Sequence, residues 1–300
     1  MTSQLDLSPE APTDPTVGAA GASAGRRVRH ASTGPRLRGP SGVSLGVVSI
    51  WLSLVVLLPL IAVVSKAFGS GWHGFWSAVS DPETWAAIKL TVLLAFAVAV
   101  VNGVMGTLVA WVLVRDRFPG SAIVEFVIDI PFALPTVVAG VVMLTLYNGK
   151  NPIAPNLFAT RTGLFVALLF VTLPFTVRTV QPVLLDLDRD VEQAAASLGA
   201  SGPAVFRRIV LPQILPAAAS GAALGFARAL GEYGSLVFIS SNLPYKTEIA
   251  SSVIYAKLQD SDHPARATQQ AAAIATVLLL ASAIVLVLVD QIQRRSARRG

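Results

Sequence analysis

The sequence predicts an all-α polytopic membrane protein with six transmembrane helices, on three observations. Hydrophobic residues make up 53% of the 300-residue chain and charged residues 13%. The apolar residues gather in blocks of about 20 or more, enough as helix to cross ~30 Å of hydrocarbon. Lysine and arginine divide unevenly between the alternate segments joining those blocks. Lipid offers the backbone no hydrogen-bond partner, so each block must close its own bonds as helix.

Residues 1–42 are rich in Pro, Gly, Ala and Ser with an arginine cluster and no apolar periodicity, which predicts a disordered basic tail. The block that follows, 43–67, is too long for a signal-peptide core and starts far from the initiator Met, so it is expected to stay as an uncleaved first span. An external loop completes the segment 43–83. The remaining spans are predicted at 86–114, 123–147, 163–185, 213–240 and 269–292, and 293–300 is a second basic tail.

Six spans place both termini on one side. That side carries Arg26 to Arg38, Arg115, Arg117, Arg178, Arg189, Arg207, Arg208 and the C-terminal arginines. The opposite side carries Lys66, Lys89, Lys150, Arg161, Lys246, Lys257 and Arg266, a roughly twofold asymmetry. Both termini are therefore expected in the cytoplasm of a cell-membrane protein. The same asymmetry accounts for the net charge of +6, which gives no reason to expect nucleic-acid binding.

Several chemistries are excluded or unsupported. The chain has no cysteine, which removes disulfides, thiolate metal sites and cysteine catalysis. His30, His73 and His263 stand singly in polar segments, so no metal site is expected. There is no glycine-rich phosphate loop ending in Lys-Ser or Lys-Thr and no His-Glu-x-x-His pair. A non-catalytic subunit without cofactor is expected, with any ATP bound by another chain.

Between the fourth and fifth blocks, residues 191–212 read VEQAAASLGASGPAVFRRIVLP, a polar helical hairpin. Asp190 followed by Gln193 can cap a helix start, and Val191, Ala194, Ala195 and Leu198 recur at i, i+3, i+4 and i+7 as one apolar stripe. Gly199 suits a left-handed helix end. Ser201 and Gly202 make the turn, Pro203 opens a second helix carrying Val205, Phe206 and Ile209, and Pro212 marks the bend into the next span.

This hairpin closely resembles the cytoplasmic coupling motif of permease subunits of ATP-binding-cassette importers: Glu-Ala-Ala, three residues, Gly, nine residues, Ile-x-Leu-Pro. Gln193, Ala194, Ala195, Gly199, Ile209, Leu211 and Pro212 occupy those places. Gln193 stands at the acidic place, with Glu192 one residue earlier. The plainer alternative is an ordinary amphipathic interfacial helix. The resemblance covers roughly residues 84–292. Three stretches within it, 102–120, 129–140 and 227–248, resemble the T-type subunit of sulfate and thiosulfate permeases. Tyr233-Gly234-Ser235-Leu236-Val237-Phe238 and Lys246-Thr247-Glu248 favour it over the related molybdate permeases.

The resemblance implies the type I importer permease fold and translocation of sulfate or thiosulfate. It further implies a homologous W-type second permease, two ATP-binding subunits and an extracytoplasmic sulfate-binding protein. A molybdate or other oxyanion permease is the alternative within the family. Outside it stand an ion-gradient-driven secondary transporter, disfavoured by the absence of an internal repeat, and an assembly scaffold without a conduit.

The fifth block carries Ala217, Gly221, Gly225 and Ala229 at intervals of four, a small-residue ridge that admits another helix closely. Arg228 and Glu232 project from nearly the same face as Gly221 and Gly225, and their i, i+4 spacing permits an ion pair. They are candidates for a structural pair or for the translocation path. Asp129 is a further intramembrane charge with two readings: a pair with Arg228, or a place in water near the cytoplasmic end. Pro131 and Pro135 predict a kink beside it.

Overall fold

The computed structural model describes residues 39–116, 118–150 and 154–297. The predicted disordered tail falls almost wholly outside the described residues. Two compact units divide the chain, one ending at Trp51 and one beginning at Leu52. The described part of the first is helical from the start of α1 (Gly39–Leu52), and Val43, Ile50 and Trp51 are all exposed.

The second unit begins with a π-helical turn, Ser53–Leu57, followed by α2 (Leu58–Ala67). A helix, α3 (Gly71–Val79), then stands where a loop was expected. Its Phe75, Ala78 and Val79 are buried at one spacing while Trp72 and Trp76 remain exposed, a short amphipathic element that a hydropathy search for spans passes over. Asp81 caps α4 (Pro82–Arg115), its carboxylate accepting from the Thr84 amide at 3.1 Å, with Pro82 in the first turn.

The third predicted span is broken. Helix α5 (Ser121–Ala133) and helix α6 (Thr136–Tyr147) meet at 114°. Leu134, preceding Pro135, is extended at ψ 132°, the conformation that a following proline ring enforces, so the two prolines produce a corner rather than a kink. With that pair set aside, five helical runs among the described residues have the length and apolarity of a span: Val43–Ala67, α4, α7 (Arg161–Asp186), Gly202–Leu230 and the membrane part of α13 (Pro264–Ala297). The last helix continues through Arg294 and Arg295, where a tail was expected.

Helix α8 (Arg189–Ser197) and helix α9 (Gly202–Val205) form the predicted hairpin. A second π turn, Phe206–Val210, joins α9 to α10 (Leu211–Leu230) as one helical run. Pro212 therefore marks no break. In the π turn the Leu211 amide donates to the Phe206 carbonyl, and this wider ladder accommodates a proline that has no amide hydrogen. The fifth span stops at Leu230, ten residues short of its expected end, because Gly231 closes the helix. After it come α11 (Val237–Ser240) and α12 (Ala250–Leu258).

The core is a seam of α4, α7 and α10. A Cβ at Gly221 would lie 2.6 Å from Thr176 Cα, and one at Gly106 2.8 Å from Thr176 Cβ. Three backbones thus converge on Thr176, and the predicted small-residue ridge faces α7. Asn102 fastens α4 to the same helix, donating to Thr172 Oγ1 at 2.8 Å and to the Leu169 carbonyl at 3.1 Å.

Candidate functional site

The hairpin starts two residues earlier than its sequence signals indicated. Asp188, not Asp190, is the cap, its carboxylate accepting from the Asp190 amide at 2.8 Å, which leaves Asp190 and Glu192 in the first turn facing the positive helix end. Gly199 ends α8 at φ +87° with open space where a side chain would stand. This is the left-handed turn expected of it.

The two arms differ in what they cover. In the second arm Val205 is buried and Val210 fully so, packed with Ile214, Ala110, Val177, Val180 and Leu184 at the junction of α4, α7 and α10. In the first arm the apolar stripe is open: Val191 is exposed, Ala194 is exposed, and Leu198 is 90% exposed. Gln193 is exposed as well, Ile209 and Leu211 are half-buried, and Pro212 is exposed.

Contacts with the end of α4 pin the hairpin from one side. Glu192 forms an ion pair with Arg115, whose side chain is 10% exposed. Arg115 also lies 5.4 Å from the Trp111 ring centre, and Trp111 meets Phe206 edge to face at 5.1 Å. Arg189 donates to the Val114 carbonyl at 3.3 Å. The carboxylate one place ahead of the expected acidic position thus points into its own chain. Nothing in the sequence marks Arg115 as its partner, 77 residues away.

Arg228 and Glu232 form the expected i, i+4 ion pair, although the helix ends between them. The carboxylate is 1% exposed and the guanidinium 33%. Glu232 Oε1 also accepts from the Ser235 amide at 2.9 Å, so it closes the helix end while compensating the arginine. Asp129 does not pair with Arg228. Arg178 of α7 donates from Nε to Asp129 Oδ1 at 2.8 Å and from Nη2 to Oδ2, a two-pronged grip that also engages Gln181, which donates to Glu125. Arg228 is already neutralised within its own turn, which removes the reason for it to seek Asp129.

Two sequence stretches singled out above meet in space. A Cβ at Gly140 of α6 would lie 2.7 Å from the Gly234 carbonyl, and one at Gly234 would lie 2.3 Å from Thr136 Oγ1. Each glycine is required by the close approach of the other segment. At the far end of the chain's long helices, burial pushes the Glu248 carboxyl up to about 7, with the neighbouring Glu83 carboxylate adding to the shift. Among the described residues no cluster of His, Cys, Asp or Glu could hold a metal ion.

Residues 102–299 match the family model of the binding-protein-dependent transport system inner membrane component. The chain belongs to that family. It is 42% identical to the sulfate transport system permease protein CysT of Salmonella typhimurium, over 86% of this chain and 94% of the relative. The corresponding protein of Synechocystis is 44% identical, over 83% and 88%. A bacterial alginate ABC transporter in complex with a pentasaccharide-bound periplasmic protein has a similar fold, with TM-score 0.68 at 17% identity, covering 85% of this chain and 93% of that one. The MetNI methionine ABC transporter matches at TM-score 0.53 and 18% identity, over 72% and 99%.

Proposed function

We propose that this chain is the membrane-spanning permease subunit of an ATP-driven importer that carries sulfate or thiosulfate into the cytoplasm. The observation that carries the coupling role is the asymmetry of the hairpin. One side is fixed to α4 through Glu192 and Arg115, while the Val191 to Leu198 stripe has no cover. The stripe and the exposed Gln193 supply a docking surface for one of two ATP-binding subunits. Identity of more than 40% to the sulfate permeases along most of the chain supports the cargo.

The hairpin's second arm runs without a break into α10, so displacement of the docked arm is delivered along that helix to Arg228 at its opposite end. Closure of the nucleotide-bound ATPases drags the hairpin, and the α4, α7 and α10 seam moves with it. Arg228, the half-buried member of its pair, is the residue we propose to meet the passing dianion; Glu232 holds it in position, and Asp129 and Arg178 brace α5 against α7. In this scheme 84–292 is the permease core, 1–42 and 293–300 are cytoplasmic tails, and 43–83 adds a span and an outer segment. A homologous W-type subunit completes the path, and an extracytoplasmic binding protein delivers the anion and sets most of the selectivity.

Uptake into vesicles containing the four-subunit assembly tests this. Labelled sulfate should accumulate only with the binding protein and internal ATP, and should continue when an uncoupler collapses the proton gradient at constant ATP. The permease chain alone should neither bind nor hydrolyse ATP. Uptake that stops with the uncoupler would establish gradient-driven transport instead, and preference for molybdate in competition would move the cargo to another oxyanion.

A further inference from the structure

At the end of α4 remote from the hairpin lies a cavity of about 510 Å³ between the end of α2, α3 and the start of α13. Ala67, Phe75, Ala87 and Ile88 share one core cluster, which places this cavity beside the first turns of α4. Arg115 and the hairpin lie at the other end of that helix, roughly 50 Å away at 1.5 Å per residue. The cavity has no part in the coupling or path described above.

Its lining is cationic and rich in donors. Lys66 and Arg266 both face it, with Ser70, Ser77, Gly74 and Gln269, and no carboxylate lines it. Neither cation is in an ion pair among the described residues. Arg266 sits in the first turn of the 34-residue α13, which has no acidic residue there, and the first turn of α3 has none either. Two positive helix ends therefore add to two side-chain charges.

Gln269 supplies an independent sign of a missing ligand. It is only 8% exposed; its Oε1 accepts from Ser70 Oγ at 2.6 Å, while its Nε2 is buried with no acceptor. A buried amide donor without a partner is costly, on the order of 1 to 3 kcal/mol. A Cβ at Gly74 would lie 3.0 Å from that Nε2 and 2.7 Å from Ser70 Cβ, so the glycine keeps this corner clear.

We propose that this cavity binds a tetrahedral oxyanion, the phosphate of an anionic phospholipid headgroup, held by Lys66, Arg266 and the Gln269 amide. The depth fits. Trp72 and Trp76 of α3, the helix that lines the cavity, and Trp85 in the first turn of α4 are exposed, the arrangement by which indole rings mark the headgroup layer. On the cytoplasmic side of membranes, basic pockets between helices take anionic lipid headgroups. The site would anchor α2, α3 and α13 to one another through the lipid, independently of the cargo.

Native mass spectrometry of the full-length chain in neutral detergent, with phosphatidylglycerol or phosphatidylcholine added, tests the proposal alongside titration with sodium phosphate and sodium sulfate. Phosphatidylglycerol should be retained in preference, and retention should fall about tenfold or more in the Lys66→Gln, Arg266→Gln double variant. Lys150→Gln, an exposed cation elsewhere, should retain it fully. Phosphate or sulfate binding that is lost in the same double variant, with no preference for phosphatidylglycerol, would keep the oxyanion site and make a free ion its occupant. A double variant that holds lipid and ions as wild type does would overturn the site, as would a wild-type chain that binds neither.

Discussion

The two arms of the hairpin have similar length and similar apolar content but opposite fates. Val210 in the second arm is sealed into the junction of three helices and Val205 is buried, whereas Val191 and Leu198 in the first are left open. Hydrophobic pattern alone does not separate a residue that holds a fold together from one left open at the surface. What separates them here is the chain that follows. The second arm is continuous with α10 and is carried into the core by it, whereas the first is tethered to α4 at its polar edge by Glu192 and Arg189.

If the arms differ in this way, substitutions should sort them by what they damage. Val210→Asp places a charge in the sealed junction with no partner and should destabilise by several kcal/mol, on the order of 3 or more. Folded yield in detergent, by size exclusion or thermal unfolding, should collapse. A yield near wild type would mean the second arm is not core at all.

Gly199→Val acts on the joint between the arms. Space is open there, so the damage is confined to a branched residue at φ +87°, about 1 to 2 kcal/mol, with the first arm misdirected. Insertion into the membrane should persist while ATPase association and uptake fall together. Normal association in a pull-down would show that the arm's direction does not matter to docking. Leu198→Ser should change stability least, within about 0.5 kcal/mol, because the side chain touches little of its own chain. Its effect should appear only in the assembly, as weaker ATPase retention and lower uptake. Unfolding at a clearly lower temperature would make Leu198 a structural residue and erase the contrast between the arms.

Much of this architecture was legible in residues 39–297. Apolar block length gave the spans, the Gly199 turn followed from the glycine before Ser-Gly-Pro, and intervals of four along α10 gave the ridge that meets Thr176. Hydropathy weighs composition and is blind to direction, which is why α5 and α6 looked like one span although Leu134 turns the chain between two prolines. It also ran the fifth span through Gly231, since Leu236 to Ile239 restore an apolar window. The candidate charges were legible only where partners are local. Arg228 and Glu232 are four residues apart, but Asp129 and Arg178 are joined across 49 and Glu192 and Arg115 across 77, distances at which a single sequence carries no signal of contact.

The open stripe also bears on how the protein is made. In the proposed assembly a docked ATPase covers this leucine, which is 90% exposed on the isolated chain, but a chain synthesised in excess has nowhere to place it. Unpaired copies would present a sticky, protease-accessible arm at the membrane surface for as long as they lack a partner. Under the proposed coupling role, the same side chains would then act as a timer on orphan subunits, tying the amount of permease that survives to the amount of ATPase in the cell.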